Sequence, residues 1–226
     1  MKQCLIGNVL RPLRALPPLR GALKGAAMAL LVGAAGLSGS AQAAAPLAQI
    51  QALLAKPDVM CGRFDQTKQL VGIKKPLASN GRFCVVAGKG VLWRTLQPFP
   101  STLRLTRDEI VQMQGERVAM RLDAKQEPVV RMINSVLFSL LSGDLSQLDK
   151  LFEIDGSVQS KQWKVALTAR EAALAKAIGA IALEGGDYVR KVTMNEAGGD
   201  HTEILFSEIR SGPQALSAED GAALAQ

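Results

Sequence analysis

The chain has 226 residues, with 27 Lys and Arg against 20 Asp and Glu, one His and three Cys, for a formal charge of +7. At roughly 150 residues per domain this is one domain or two small ones; 48% hydrophobic and 21% charged residues exclude wholesale disorder. The charge is concentrated: Lys2, Arg11, Arg14, Arg20 and Lys24 precede residue 44, and no acidic residue does. Removing those five leaves 22 basic against 20 acidic residues, so the basicity is not a nucleic-acid footprint.

Those basic residues stand before an apolar stretch, 25–37, and small residues ending in Ala41-Gln42-Ala43. This is the order of a secretory signal peptide, expected over 1–43 with cleavage near Ala43. The apolar stretch is shorter than the roughly 20 residues needed to span a bilayer core. Cys4 leaves with the signal, and Cys61 and Cys84 remain. An even pair in an oxidising compartment suits a bridge between neighbouring strands. The alternative is a reactive thiol.

Past the signal, Leu47, Ile50, Leu53 and Leu54 share one face of a helix over 44–56, ended by Pro57. The period then changes to two. Strands are predicted over 60–68, around Phe83 and Val85, and over Val91, Trp93 and Thr95, with the turn Gly88-Lys89-Gly90 between the last two. Pro98-Phe99-Pro100 breaks the third strand. Leu103 and Leu105, then 110–114, then Val118, Met120 and Leu122 continue an antiparallel meander. A helix follows from Pro128, with Val129, Met132, Ile133, Val136, Leu137, Leu140 and Leu141 on one stripe and Gly143 at its end. Phe138 falls off that stripe, consistent either with a helix wedged between sheet and cavity or with one exposed Phe. A shorter helix holds Leu148, Leu151 and Phe152. Trp163, Val165 and Leu167 alternate in a strand, a helical connector covers 170–177, and extended segments cover 178–183 and 188–196. After the turn 197–200 comes a last strand, 201–209, and a tail, 211–226, expected to be disordered.

Catalytic patterns are missing. The single histidine, His201, sits beside a turn; Gly88-Lys89-Gly90 is neither a P-loop nor a dinucleotide fingerprint; Asp108 and Glu109 are adjacent and point to opposite faces of a strand. The reading is therefore non-enzymatic, with no metal, no cofactor and no nucleic acid. Half-apolar strands and short apolar helices instead suit a curved sheet whose inner face either encloses an apolar cleft or packs a solid core.

Ordered landmarks resemble one family. They are Gly62-Arg63-Phe64-Asp65-Gln66, Pro76-Leu77-Ala78-Ser79-Asn80-Gly81-Arg82-Phe83, Gly90-Val91-Leu92-Trp93-Arg94-Thr95 with Pro98, Leu140-Leu141-Ser142-Gly143-Asp144 running into Leu148 and Phe152, Trp163-Lys164-Val165-Ala166-Leu167-Thr168, and Gly199-Asp200-His201-Thr202. Together they resemble the LolA-like outer-membrane lipoprotein carriers of the bacterial periplasm. The resemblance implies an α+β, mainly β fold over 44–210: an incomplete antiparallel β-barrel, a curved sheet covered by short helices, with an apolar cavity that shelters acyl chains. It also implies an acylated lipoprotein or lipid cargo, an inner-membrane donor and an outer-membrane acceptor, with the chain expected to act as a monomer. The family's lid-closing basic residue would fall at Ala87, with Lys89 the nearest cation, so that role does not transfer.

From the alternation of each strand, Phe83, Val91, Trp93, Leu103, Leu105, Val118, Met120 and Leu122 are expected to line the concave face. Met132, Val136 and Leu140 are expected to cover it from the helix. Three readings follow: a periplasmic carrier, an envelope-assembly adaptor whose barrel is packed solid, and a hydrolase whose site the sequence does not reveal.

Overall fold

Alternation of apolar and polar side chains builds this protein strand by strand. The computed structural model describes residues 44–126, 145 and 148–225. These lie in one unit, Ala43–Gln226. The signal segment 1–43 and the expected central helix, with Met132, Val136, Phe138 and Leu140, lie outside the described residues.

The first helix, α1 (Ala44–Leu53), leads into six strands: β1 (Val59–Gln69), β2 (Leu77–Val86), β3 (Gly90–Gln97), β4 (Ser101–Leu105), β5 (Glu109–Gln114) and β6 (Arg117–Asp123). A short helix α2 (Leu148–Leu151) precedes β7 (Phe152–Gln159) and β8 (Gln162–Ala169). Then come α3 (Ala172–Ile178), β9 (Ala180–Gly185), β10 (Val189–Asn195), β11 (His201–Ser211), a 3-10 turn (Pro213–Ala215) and α4 (Ala218–Ala223). All eleven strands form one sheet in the order β6-β5-β4-β3-β2-β1-β11-β10-β9-β8-β7, antiparallel throughout. The first and last strands, β1 and β11, are joined at its centre. β6 and β7 are its edges, so the barrel is incomplete, as expected.

Curvature is visible in the aromatic rings. Phe64 lies on β1 and Trp93 on β3, two strands away, a backbone separation of roughly 9–10 Å in a flat sheet. Their ring centroids are nonetheless 3.8 Å apart and stacked. Phe206 on β11, three strands from Trp93, is edge-on to it at 6.0 Å. Side chains converge in this way only on a concave face. Register shifts between Cys61 and Arg63, Asn80 and Gly81, Gln112 and Met113, and Val189 and Lys191 mark the bulges that bend the strands.

Two glycines make room for this cluster. Gly62 pairs with Phe83 across β1 and β2, and Gly81 pairs with Phe64. A Cβ at Gly62 would stand 2.9 Å from the Phe83 ring, and one at Gly81 would stand 2.8 Å from the Phe64 ring. Each ring thus lies over the bare backbone of its partner.

Three expectations are corrected. Phe152 does not end a helix; it starts β7, whose period-2 pattern Phe152, Ile154, Gly156, Val158 went unread because glycine holds one apolar position. The Val118 alternation breaks at the bulge opposite Met113, and Val118 is exposed rather than buried in the lining. The tail is ordered. Its 3-10 turn and α4 bring Leu216 and Leu224 onto the convex face, against Val59, Cys61, Cys84, Val86 and Leu92. Ser217 caps α4 by accepting from the Asp220 backbone N–H, and Arg94 donates to Asp220 at 2.8 Å and contacts Glu219 at 2.9 Å. A sequence of small and polar residues carried too few apolar anchors to show this docking.

Cys61 and Cys84 face each other in the β1–β2 register and are disulfide-bonded, with Cα atoms 4.1 Å apart. The bridge lies on the convex face beneath the C-terminal segment. Two outcomes check this architecture. Gly81→Ala is expected to cost about 3 kcal/mol in denaturant unfolding, because the added Cβ would stand 1.9 Å from the Arg94 carbonyl oxygen. Gly198→Ala, with nothing within 4 Å, is expected to stay within about 0.5 kcal/mol of the parent. The exported protein is expected to resist alkylation without reductant, and the double Cys→Ser variant to lose roughly 3 kcal/mol, the loop-closure value for a separation of this length. Free labelling of both thiols would contradict the bridge.

Candidate functional site on the inner face of the sheet

Strand parity assigns each side chain to a face. From Phe83 the inner row runs through Trp93 and Leu103 to Gln112 and Met120. From Val85 a second row runs through Val91, Leu105 and Ile110 to Leu122. On the other half, Ile204, Val192, Leu183 and Val165 continue the face from β11 to β8. Trp93 and Leu105 therefore share one face of the sheet with Phe83, Val91, Leu103, Met120 and Leu122.

The expected residues differ in how deeply they sit. Phe83, Val91, Leu103 and Leu105 are at most 5% exposed. Trp93, Met120 and Leu122 are half-buried, so the face opens toward the β6 edge. Sequence reasoning left out Phe64, Phe206, Ile204 and Ile110, all buried on this face. The signal for three of them was present: Thr202, Ile204 and Phe206 alternate in the last strand, and Phe64 alternates with Arg63 and Asp65. Ile110 was masked by the short turn before it.

The face is not uniformly apolar. Lys68 on β1 pairs with Thr202 on β11, and both are buried. The Lys68 ammonium donates to Glu196 at 2.6 Å and lies 3.8 Å from Asp200. Asp200 also accepts from the Val71 backbone N–H at 3.0 Å, tying the β1–β2 loop to the β10–β11 turn. A lysine this buried is held by carboxylates fixed beside it. Neighbouring Gln66 belongs to the same inner row of β1, so polarity rises toward this end of the sheet.

The opposite, inward half is sealed by α1. Ile50, fully buried, reaches the gap above Gly156, where an added Cβ would lie 3.5 Å from its Cδ1. Ala55 donates its backbone N–H to Asp187 at 2.8 Å, and the Trp163 indole donates to the Gly186 carbonyl at 2.7 Å. These contacts fix the β9–β10 turn against the helix end.

Reactive candidates sit elsewhere. His201 is exposed, 2.8 Å from the Asn195 side-chain oxygen. Glu109 is engaged by Arg104 at 2.7 Å and Arg121 at 3.2 Å. The Lys191 ammonium is held above its ordinary value chiefly by its hydrogen bond to the Glu203 carboxylate, 2.7 Å away on the next strand. Ala87 and Lys89 are exposed in the β2–β3 turn. What the inner face offers is a curved apolar surface with one polar end.

No curated protein matches the sequence. Solved structures of similar fold include a LolA superfamily protein from Nitrosomonas europaea, 8% identical over 76% of this chain and 95% of that one, TM-score 0.40. A putative outer membrane lipoprotein-sorting protein domain from Vibrio parahaemolyticus is 12% identical over 82% of this chain and 100% of that one, TM-score 0.43. MucB is 16% identical over 80% of this chain and 62% of that one, TM-score 0.39. The family described as outer membrane lipoprotein carrier protein LolA-like, a family of periplasmic lipid- or lipoprotein-binding proteins, matches residues 38–226, which include every described residue, and the chain belongs to it.

Proposed function

We propose that this chain, once its signal peptide is cleaved near Ala43, is a periplasmic carrier that shields acyl chains of lipoproteins or related lipids on the way to the outer membrane. Its partners are then an acylated cargo, an inner-membrane donor and an outer-membrane acceptor. The observation that supports this most is that Trp93, Met120 and Leu122 stay half-buried on the same two inner rows as the buried Val91, Leu103 and Leu105. A finished core would bury both rows throughout. Here the concave face leaves apolar surface next to the β6 edge, where hydrocarbon can replace water. Each acyl CH₂ so transferred is worth about 0.8 kcal/mol, so a chain of ordinary length binds well without any polar contact.

A second reading, an envelope-assembly adaptor with a packed barrel and no ligand, draws on the near-complete burial of Phe83, Val91, Leu103 and Leu105 in the ligand-free protein. The two readings part over ligand binding, not over folding. Leu105→Glu would place an unpaired carboxylate in a closed core and is expected to unfold the protein under both. Met120→Glu, at a half-buried site, is expected to stay folded under both.

Lipids with brominated acyl chains make the measurement direct. Under the carrier reading they quench Trp93 fluorescence in the parent, while a Trp93→Phe variant, left with the buried Trp163, shows little quenching. Met120→Glu then binds the acyl ligand at least about ten-fold more weakly, a loss of roughly 1.4 kcal/mol, with unchanged circular dichroism. Absence of quenching in the folded parent would favour the packed adaptor, and equal binding by folded Met120→Glu would remove Met120 from the cavity.

A further inference from the structure

Among the described residues, seven large apolar side chains are left substantially exposed, and their distribution is uneven. Val71, Ile73, Leu77, Leu96, Phe99 and Val118 all lie at one end of the sheet; only Leu205 lies mid-strand. The topology explains the gathering. In an antiparallel meander the β1–β2, β3–β4 and β5–β6 connections leave the same end. Leu77 begins β2 three residues before Asn80, and Phe99 follows Gln97 by two; Asn80 and Gln97 are paired, with Asn80 donating to the Gln97 side chain at 3.2 Å. The two loops therefore project side by side.

The loops are built to keep these residues outward. Val71 is held through its backbone N–H by Asp200, Ile73 donates its own N–H to the Leu70 carbonyl at 3.1 Å, and the Gln69 side chain donates to the Ile73 carbonyl. Gly72 takes the left-handed φ of +79° that this tight turn requires. Phe99 stands between Pro98 and Pro100, which restrict the chain on both sides. Val71 and Phe99 are 66% and 65% exposed. Charge in these two loops has one sign: 70–77 and 96–100 contain Lys74 and Lys75, both exposed, and no acidic residue.

We propose that this end of the sheet, with Phe99, Leu77, Val71 and Ile73 at its tips and Lys74 and Lys75 among them, docks on an anionic phospholipid surface. Short apolar tips insert among acyl chains while neighbouring lysines meet lipid phosphates, the combination that peripheral membrane proteins need. Convex projecting tips, rather than a groove, favour a fluid surface over a folded protein partner. The inference concerns the outside of the barrel and does not depend on whether the inner face carries an acyl chain.

Cosedimentation of the exported protein with vesicles tests it. Vesicles of phosphatidylethanolamine with phosphatidylglycerol are expected to retain the protein, and vesicles of phosphatidylcholine to retain it weakly. Binding falls as salt rises, because screening weakens the lysine contribution. Phe99→Ser is expected to weaken binding about ten-fold, and Lys74→Glu with Lys75→Glu by roughly five-fold per lysine or more. Leu205→Ser, an exposed apolar residue outside the rim, is expected to leave binding unchanged. All four substituted positions are exposed, so circular dichroism should match the parent. Failure of the parent to bind either vesicle, equal binding by Phe99→Ser, or an equal loss with Leu205→Ser would overturn the proposal. So would a parent that ignores vesicles but crosslinks through Phe99 to an envelope protein. Brominated-lipid quenching of Trp93 in detergent-free solution reads acyl loading separately, so each idea can fail while the other stands.

Discussion

The structure depends on two reciprocal cross-strand pairs, Gly62 with Phe83 and Phe64 with Gly81. Glycine in a strand interior forgoes side-chain packing and costs conformational entropy. Here the loss is offset because each ring lies on the exposed backbone of the facing strand. That lowers the rings onto the sheet and lets Trp93 stack on Phe64 at 3.8 Å and Phe206 approach Phe83 at 5.0 Å. Stacked and edge-on pairs contribute roughly 0.5–1.5 kcal/mol each beyond their buried area. The aromatic contacts pull β3 and β11 toward one another across β1 and β2. Concavity is thus encoded locally, in four residues of two adjacent strands, and the bulges beside them give the bend its place.

Once the sheet is curved, its two faces have different tasks. The convex side at β1–β3 would expose Val59, Val86 and Leu92, an apolar patch that invites association. The C-terminal segment removes it: Leu216 and Leu224 cover the patch, and Arg94 holds the acidic first turn of α4 through Glu219 and Asp220. Those carboxylates also suit a helix N-terminus. The disulfide sits beneath this cover and ties the two strands that carry the glycine–phenylalanine pairs. One covalent link and one docked helix therefore stiffen the same hairpin from outside, leaving the inside free of covalent constraint.

Much of this was legible in the sequence. The meander could be read because the short runs alternate and are parted by turn residues such as Gly88, Pro98, Asp108 and Gly115, and the pairing of Cys61 with Cys84 followed from placing them on adjacent strands of one hairpin. What could not be read has physical causes. Period-2 reading assumes an apolar residue at every inner position; β7 breaks that with Gly156, which is small because Ile50 of α1 fills the space above it. Alternation cannot foresee a bulge, so Val118 was assigned to a lining that the extra residue Ala119 takes it out of. The ordered tail depends on two leucines meeting a patch formed by strands more than 120 residues earlier. Contacts so distant leave no periodic trace in the segment itself. Phe64 and Phe206 do alternate in their own strands, but what brings them to Trp93 is the curvature, which alternation alone does not show.

The inner face also changes character along the strand direction, and this connects its two ends. Val85, Val91, Leu105 and Ile110 occupy one end; Phe64, Phe83, Trp93 and Phe206 the middle; Gln66, Lys68 and Thr202 the other. A packed core gains nothing from such a gradient, since a buried ion pair such as Lys68–Glu196 is often no more stabilising than well-packed apolar residues. An amphiphile lying along the strands would match it, with hydrocarbon against the aliphatic rows and a head group near the polar end. The polar end is also the end at which the β1–β2 and β3–β4 loops carry their apolar tips and lysines. The same hairpin, β1–β2, supplies the aromatic floor, the buried lysine and one of the projecting loops. Bending that hairpin would therefore alter the inner surface and the rim together.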